Sequence, residues 1–203
     1  MSARDRILTR VRRNAADAPP HARVTPAQAA PADPVAQFTA QAEKVHASVS
    51  RIGSMEDLPS ALADELRNRN LPAAIRTGTD PAFQRDWGTV EHSTGPGRIA
   101  EPATLTRAEF AMAETGSLVF ASGPDNPVTL NFLGETHFAV VRAADVMGGF
   151  EEVFAAWRAK FGEPGFAPRT TNFVTGPSRS ADIGQTLQLG AHGPVALHIF
   201  VVG

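Results

Sequence analysis

The chain has 203 residues and a formal net charge of −2, with 42% hydrophobic and 20% charged residues. These proportions suit one soluble globular domain with a terminal extension, and the charge argues against a general nucleic-acid binder, which would be basic. The absence of cysteine excludes disulfides, thiolate catalysis and a cysteine-ligated iron–sulfur cluster in these residues. No apolar run approaches the roughly 18 residues of a membrane-spanning helix, and the N-terminus lacks a secretory apolar segment, so we expect a cytoplasmic protein.

The first 34 residues predict an arm outside the core. Residues 2–14 fit a short helix with three large apolar residues on one side, and its five arginines against one aspartate give 5 − 1 = +4 charges. Residues 15–34 hold five prolines and suit an extended linker. Either the arm docks on an acidic partner or membrane surface, or it is a solvated helix, clamped onto a neighbouring subunit or frayed. We therefore divide the chain into residues 1–34 and an α/β domain of residues 35–203.

From residue 35 onward, helical and strand patterns alternate. Periodic apolar residues and capping patterns, such as Thr106 with Glu109, predict helices at residues 35–49, 58–66, 106–114 and 146–161. Short apolar runs predict strands at residues 73–76, 117–121, 129–132, 137–141, 172–175 and 195–202. Such alternation predicts an α/β fold with a mostly parallel sheet flanked by helices.

The last thirty residues are the most informative part of the chain. An apolar strand ends at Gly176-Pro177, a polar loop follows, and residues 181–189 fit a helix that Ser180 caps and Gly190 ends. Residues 195–202 are apolar at nearly every position, as in a strand buried on both faces. Strand, loop, helix and strand form half of an open α/β fold, in which ligands bind at loops following the carboxyl ends of strands.

The polar loop suits an anion. Residues 176–180 combine backbone N–H groups, two hydroxyls and a guanidinium at the predicted helix N-terminus, which favours a carboxylate or phosphate. Arg179 would bind the anion bidentately, and Ser178 and Ser180 would orient it. Alternatively, Ser180 only caps the helix and Arg179 pairs with Asp182, whose carboxylate the helix dipole also explains.

The same segment carries a family resemblance. Thr175-Gly-Pro-Ser-Arg-Ser-Ala-Asp-Ile183, followed by Leu189-Gly-Ala-His-Gly-Pro194, resembles the signature of the LUD-domain family of lactate-utilisation proteins. Looser similarity extends the match over roughly residues 72–203. The resemblance implies a fold similar to the sugar-phosphate isomerase and CoA-transferase superfamily. It also implies a role in oxidising L-lactate to pyruvate beside iron–sulfur partner proteins, with the clusters in those partners and no intrinsic cofactor.

Two further sets of residues are candidates for the site. Related folds place acidic and hydroxyl side chains around the active cleft, so the resemblance nominates Glu114 as catalytic and Thr115, Gly116 and Ser117 as ligand-binding. Gly116 also suits a purely structural turn position. His192 is the second catalytic candidate, because a neutral imidazole in the His-Gly-Pro turn can exchange protons or donate to a substrate. Alternatively, its side chain only hydrogen-bonds the turn. The adjacent Gly193 is included as ligand-binding.

The other histidines give no comparable signal. His137 and His198 fall within strand patterns and are interpreted as structural. No histidine pair has the spacing of metal ligands, so no metal site is predicted.

Three functions stay open at this point. The first is an accessory subunit of an iron–sulfur L-lactate oxidation system with a cleft for a small anionic ligand, for which the arm offers a route to homo-oligomers. The second is an autonomous transferase, isomerase or ligase of the same fold superfamily. The third is a non-catalytic regulatory binding module. The sequence does not decide whether the chain is an enzyme.

Overall fold

Twelve strands and five α-helices make up the described part of the computed structural model, which covers residues 2–16, 31–99, 101–162, 168–183, 186–190 and 192–203. The helices are α1 (Ala3–Ala16), α2 (Pro34–Lys44), α3 (Leu58–Asn68), α4 (Thr129–Phe132) and α5 (Phe150–Phe161). The first six strands are β1 (Ser48–Ile52), β2 (Ala74–Thr77), β3 (Glu91–Thr94), β4 (Glu101–Arg107), β5 (Phe110–Met112) and β6 (Ser117–Ala121). The others are β7 (Gly134–Arg142), β8 (Val146–Met147), β9 (Thr171–Val174), β10 (Arg179–Ile183), β11 (Thr186–Leu189) and β12 (Ala196–Val202).

Six strands form a parallel sheet in the order β1–β12–β7–β4–β2–β3, with every neighbouring pair parallel. Alternate residues of β7 enter different clusters: Ala139 and Val141 pack with α2, whereas Phe138 and Val140 pack with α3. This alternation places apolar side chains on both faces, which explains the nearly continuous apolar runs of the central strands. The predicted α/β fold with a mostly parallel sheet flanked by helices is confirmed.

A second sheet, in the order β8–β5–β6–β9, contains two of the predicted strands, residues 117–121 and 172–175. β6 runs antiparallel to both β5 and β9. Leu118 and Phe120 of β6 pack in the same cluster as α2 and the parallel sheet. Val153 of α5 packs against the opposite face. The expectation that residues 172–175 begin half of the parallel sheet is therefore wrong.

Both N-terminal helices of the domain begin at identifiable caps. The Asp33 carboxylate accepts a hydrogen bond from the Ala36 N–H at 2.9 Å, directly ahead of α2. The Ser54 N–H donates to Asp57 at 2.9 Å, opening a short 3₁₀ turn before α3. The helix predicted at residues 35–49 ends earlier than expected, because His46 adopts a φ of 67° and the chain turns into β1.

Two local predictions in the middle of the chain are wrong. Residues 106–114 do not form a helix, because the hydroxyl of Thr106 bonds His137 at 2.7 Å and Glu109 pairs with Lys160. Residues 129–132 form the single turn α4 instead of a strand, since the N–H of Leu130 donates to the Pro127 carbonyl at 3.0 Å.

The helix predicted at residues 181–189 is also wrong. β10 and β11 form an antiparallel pair in which Arg179 lies opposite Leu189 and Ser180 opposite Gln188. Threonine, isoleucine and leucine in this stretch are compatible with a strand, where pairing satisfies the backbone without a helix. Because the described residues of this stretch form strands instead of that helix, the predictions that Ser180 caps it and that its dipole stabilises Asp182 are wrong as well.

The arm begins with the expected helix, α1, whose Ile7 and Val11 side chains are 63% and 58% exposed. The predicted linker falls largely on residues 17–30, outside the described residues. None of the helices in the described ranges is both long enough and apolar enough to span a membrane.

Candidate functional site

A cavity of about 220 Å³ lies where the two sheets meet. Its walls are residues 173–178, which end β9 and continue into the following loop, and residues 192–194, which precede β12. Residues 131–132 of α4, with His137 and Leu197 from the amino-terminal halves of β7 and β12, complete the lining. The predicted ligand loop does follow the carboxyl end of a strand, but that strand belongs to the smaller sheet.

Backbone hydrogen bonds join the two loops that carry the signature, one before β10 and one before β12, which we call the signature loops. The N–H of Ser178 donates to the Pro194 carbonyl at 2.8 Å, and the N–H of Gly190 donates to the Ser178 carbonyl at 3.1 Å. Gly176 has a φ of 76°, and a Cβ there would lie 2.2 Å from the Val45 carbonyl oxygen. Only glycine fits this approach. The structure therefore brings Gly176, Pro177, Ser178 and Gly193, four of the predicted ligand-binding residues, together at the cavity, with His192 beside them.

Two buried polar side chains line the cavity without satisfying their hydrogen-bonding groups. Asn131 is 1% exposed, and neither its amide nitrogen nor its amide oxygen has a partner among the described residues. His137 is fully buried; its Nε2 lies 2.7 Å from Thr106 Oγ1, and its Nδ1 has no partner in the part of the chain that the structure describes. Of the four unpartnered buried side-chain atoms found in the described residues, three belong to this pair. Each such group costs about 1–3 kcal/mol when it remains unpaired.

His137 is uncharged at neutral pH. Burial lowers its pKa to about 3, because the imidazolium ion would lose its hydration inside the sheet. The ring also lies 5.6 Å, centroid to centroid, from Phe120. His137 therefore offers the cavity a neutral hydrogen-bonding atom rather than a positive charge.

The sequence patterns indicate neither residue as part of a site. The strand pattern around His137 predicts a structural role, and no pattern singles out Asn131. The available signal was weak: one histidine heads the apolar run Phe138–Val141, and one asparagine lies between Leu130 and Phe132. Only the tertiary structure shows that their polar atoms lack partners.

The predicted Thr115–Ser117 segment reaches the cavity through a row of hydroxyls. Thr115 Oγ1 lies 2.7 Å from Ser117 Oγ, which lies 2.6 Å from Oγ1 of Thr175 on the cavity wall. Gly116 has a φ of 69°, and a Cβ there would lie 2.3 Å from the Ala42 backbone nitrogen in α2. The glycine thus permits close packing of α2 against this turn, and the hydroxyls on either side extend the polar wall.

Glu114, the acidic catalytic candidate, lies away from this wall. Its N–H donates to the Gly148 carbonyl at 2.9 Å. Its carboxylate lies beside Gly149, where an added Cβ would be 2.9 Å from Oε2. Gly149 is the N-cap of α5, a position at which the helix dipole stabilises a negative charge. These contacts indicate a structural role for Glu114. Of the two catalytic candidates, only His192 lines the cavity.

Arg179 lines a neighbouring cavity of about 460 Å³ together with Arg69 and His46. Pro177 and Leu197 line both cavities and form the wall between them. Arg179, predicted to bind an anion bidentately, thus lines a cavity adjacent to the first one. We call the first cavity, which the signature loops line, the signature cavity. The side chains of Ser180 and Asp182 lie outside the described part of the structure.

Comparison with known proteins assigns the chain to a family. The LUD domain model matches residues 100–202, which are 103 of the 203 residues. The chain belongs to the LUD-domain family. The predicted membership is thereby confirmed, and the matched region includes every described residue that lines the cavity.

Individual relatives of this LUD-domain chain are named Lactate utilization protein C. The protein of Halalkalibacterium halodurans is 26% identical over 174 residues, 80% of this chain and 76% of the relative. That of Bacillus licheniformis is 34% identical over 105 residues, 51% of this chain and 44% of the relative. That of Bacillus subtilis is 33% identical over 98 residues, 48% of this chain and 41% of the relative. The last two matches therefore span less than half of those relatives.

A solved structure shares the fold. The crystal structure of a DUF162 family protein from Deinococcus radiodurans superposes with a TM-score of 0.66 at 21% identity, covering 85% of this chain and 98% of that one. At this identity the similarity concerns the fold alone.

Proposed function

We propose that this LUD-domain chain is a component of an L-lactate utilisation system, in which it binds a small organic acid at the signature cavity. The observation that carries the proposal is the position of the segments that resemble the family signature: residues 175–178 of the first segment and 192–194 of the second line one cavity. Three relatives of the chain carry the name Lactate utilization protein C. A volume of about 220 Å³ suits a molecule smaller than a drug-sized ligand.

The polar side chains of the walls support a small acid as the ligand. Thr175 and Ser178 supply hydroxyls, and the exposed His192 supplies an imidazole. Hydroxyl and imidazole N–H groups donate hydrogen bonds to a carboxylate, the chemistry expected for lactate or pyruvate.

The electrons of lactate oxidation require a further component. The chain contains no cysteine, and iron–sulfur clusters are held mainly by cysteine thiolates. We therefore assign the clusters to partner proteins and the binding of the acid to this chain. The described residues contain no set of three or more acidic or histidine side chains placed to bind a metal ion.

The proposal is tested in extracts of a strain that lacks this gene. L-lactate-dependent reduction of an artificial electron acceptor should be lost from the extract and restored by the purified chain, whereas the purified chain alone should show none. Unchanged activity in the deletion extract would remove the chain from lactate utilisation.

A further inference from the structure

We propose that Asn131 and His137 form a subsite for an uncharged hydroxyl group, so that the cavity selects small 2-hydroxy acids over acids without the hydroxyl. This inference deepens the proposed function and rests on it for the identity of the acid. The subsite itself rests on the two buried side chains and their unpaired atoms.

Asn131 and His137 both have hydrogen-bonding capacity that no described residue uses. Within the described residues, the NH₂ donor and carbonyl acceptor of Asn131 and the Nδ1 atom of His137 are unused. Folded proteins pair nearly all buried polar groups, and those left unpaired point to a missing partner. Because both residues line one cavity, one small ligand can pair with both.

The unpaired atoms favour a ligand group that both donates and accepts hydrogen bonds. Thr106 Oγ1 can donate to His137 Nε2 or accept from it, so Nδ1 is a donor in one tautomer and an acceptor in the other. A hydroxyl both donates and accepts, so it pairs with Asn131 and with either tautomer. A ketone oxygen only accepts, and a methylene group does neither. The expected order of affinity is hydroxy acid, then keto acid, then unsubstituted acid.

The charges of the lining residues determine the orientation of the acid in the cavity. Among the described lining residues none is a lysine or arginine, and burial keeps the His137 imidazole neutral. A carboxylate placed against Asn131 and His137 would lose its hydration without gaining a counter-charge. The carboxylate is therefore placed towards the wall residues Thr175, Ser178 and His192, and the hydroxyl towards the buried pair.

An ordered water molecule is the competing occupant. The cavity is large and polar enough to hold water, which commonly satisfies buried polar groups. Water alone would give no preference between acids that differ in one hydroxyl. Ligand selectivity consequently separates the two occupants.

The test measures calorimetric binding of L-lactate, pyruvate and propionate to the wild-type protein. Each probe has three carbons and one carboxylate. We expect L-lactate to bind at least about tenfold more tightly than propionate, because a site built for a hydroxyl rejects the analogue that lacks it. Equal affinities, or no binding of any of the three acids, would overturn the proposal in favour of the water-filled cavity.

A pair of variants adds a stability measurement. Asn131→Leu removes unpaired polar atoms at nearly constant size, so its melting temperature should equal or exceed that of the wild type while the preference for L-lactate is lost. The matched control is Asn126→Leu, which loses a side-chain hydrogen bond to the Ala121 carbonyl at 3.3 Å and should melt at a lower temperature with its lactate preference intact. A clear drop in melting temperature for Asn131→Leu would show that the amide has a structural partner.

The two levels of the account fail separately. Selective binding of L-lactate with no loss of lactate oxidation in the deletion extract would preserve the subsite and reject the proposed function. A chain that is required for lactate oxidation but binds the three acids equally would preserve the function and reject the subsite.

Discussion

Two buried histidines make the stability of the protein depend on pH. Burial lowers the pKa of His137 to about 3. Burial also lowers that of His198 to about 4, against the opposing effect of Glu65 and with the help of Arg69. Both values lie below the ordinary 6.5, so the unfolded chain binds more protons between these limits. Stability is then fully present above pH 6.5 and is lost as the pH falls towards 3 to 4.

Urea unfolding at several pH values measures how the free energy of unfolding depends on pH. Between about pH 7.5 and pH 5, each such histidine lowers the free energy of unfolding by about 2 kcal/mol, since one pKa unit corresponds to about 1.4 kcal/mol. NMR titration of the imidazole resonances checks the cause directly. A midpoint near 6.5 for His137 would contradict its burial as a neutral ring.

Arg179 provides a second prediction at the scale of single residues. Its side chain is exposed and lines the cavity beside Arg69. We expect Arg179→Ala to change the free energy of unfolding by no more than about 0.5 kcal/mol, as for most surface substitutions. Activity with the partners should be lost, and Arg179→Lys should restore it only partly, because lysine keeps the charge without the planar fork.

Thermal melts and the extract assay on both variants decide the role of Arg179. A strongly destabilised Arg179→Ala protein would mean that the arginine is a structural tie. A stable and fully active variant would remove the neighbouring cavity from function and leave the signature cavity as the site.

At the scale of elements, sequence patterns succeed where burial is uniform and fail where a distant residue decides. Residues 195–202 are apolar at nearly every position, which predicts a strand covered on both faces, and β12 occupies Ala196–Val202. Thr106 matched a helix-capping pattern, yet its hydroxyl bonds His137, 31 residues away in sequence. Residues 181–189 suited a helix as well as a strand, and pairing of β10 with β11 selected the strand.

The same distinction applies to the site. The signature loops were found from sequence because their residue types and order form a local pattern. Asn131 and His137 were not, because an unpaired atom is a property of the packed structure. Glu114 was nominated by resemblance, and its contact with Gly149 at the start of α5 depends on an approach that no local pattern encodes.

Removal of the arm is the prediction that belongs to this scale. The apolar residues of α1 are largely exposed, so deleting residues 2–30 should leave the melting temperature of the domain unchanged. The control is a deletion of residues 2–44, which also removes α2 with its fully buried Phe38 and Ala42 and should abolish cooperative unfolding. Loss of cooperativity in the shorter deletion would show that the arm packs into the core. A change in mass by light scattering would support oligomerisation through the arm.

At the scale of the whole molecule, the two sheets explain where the site lies. The parallel sheet supplies His137 and Leu197, and the smaller sheet supplies the end of β9. Chain segments far apart in sequence therefore contribute to one cavity, and α2 supports the junction by packing against Gly116 and Gly176 through Ala42 and the adjoining Val45. The LUD signature marks the loops that close this junction.

The most direct test of the account is L-lactate-dependent reduction of an artificial electron acceptor in the deletion extract. The account predicts that added wild-type protein restores the activity, that Asn131→Leu restores less than about a tenth of it despite an undiminished melting temperature, and that the isolated chain shows none. Full activity in the extract without the chain, or lactate oxidation by the isolated chain, would contradict it.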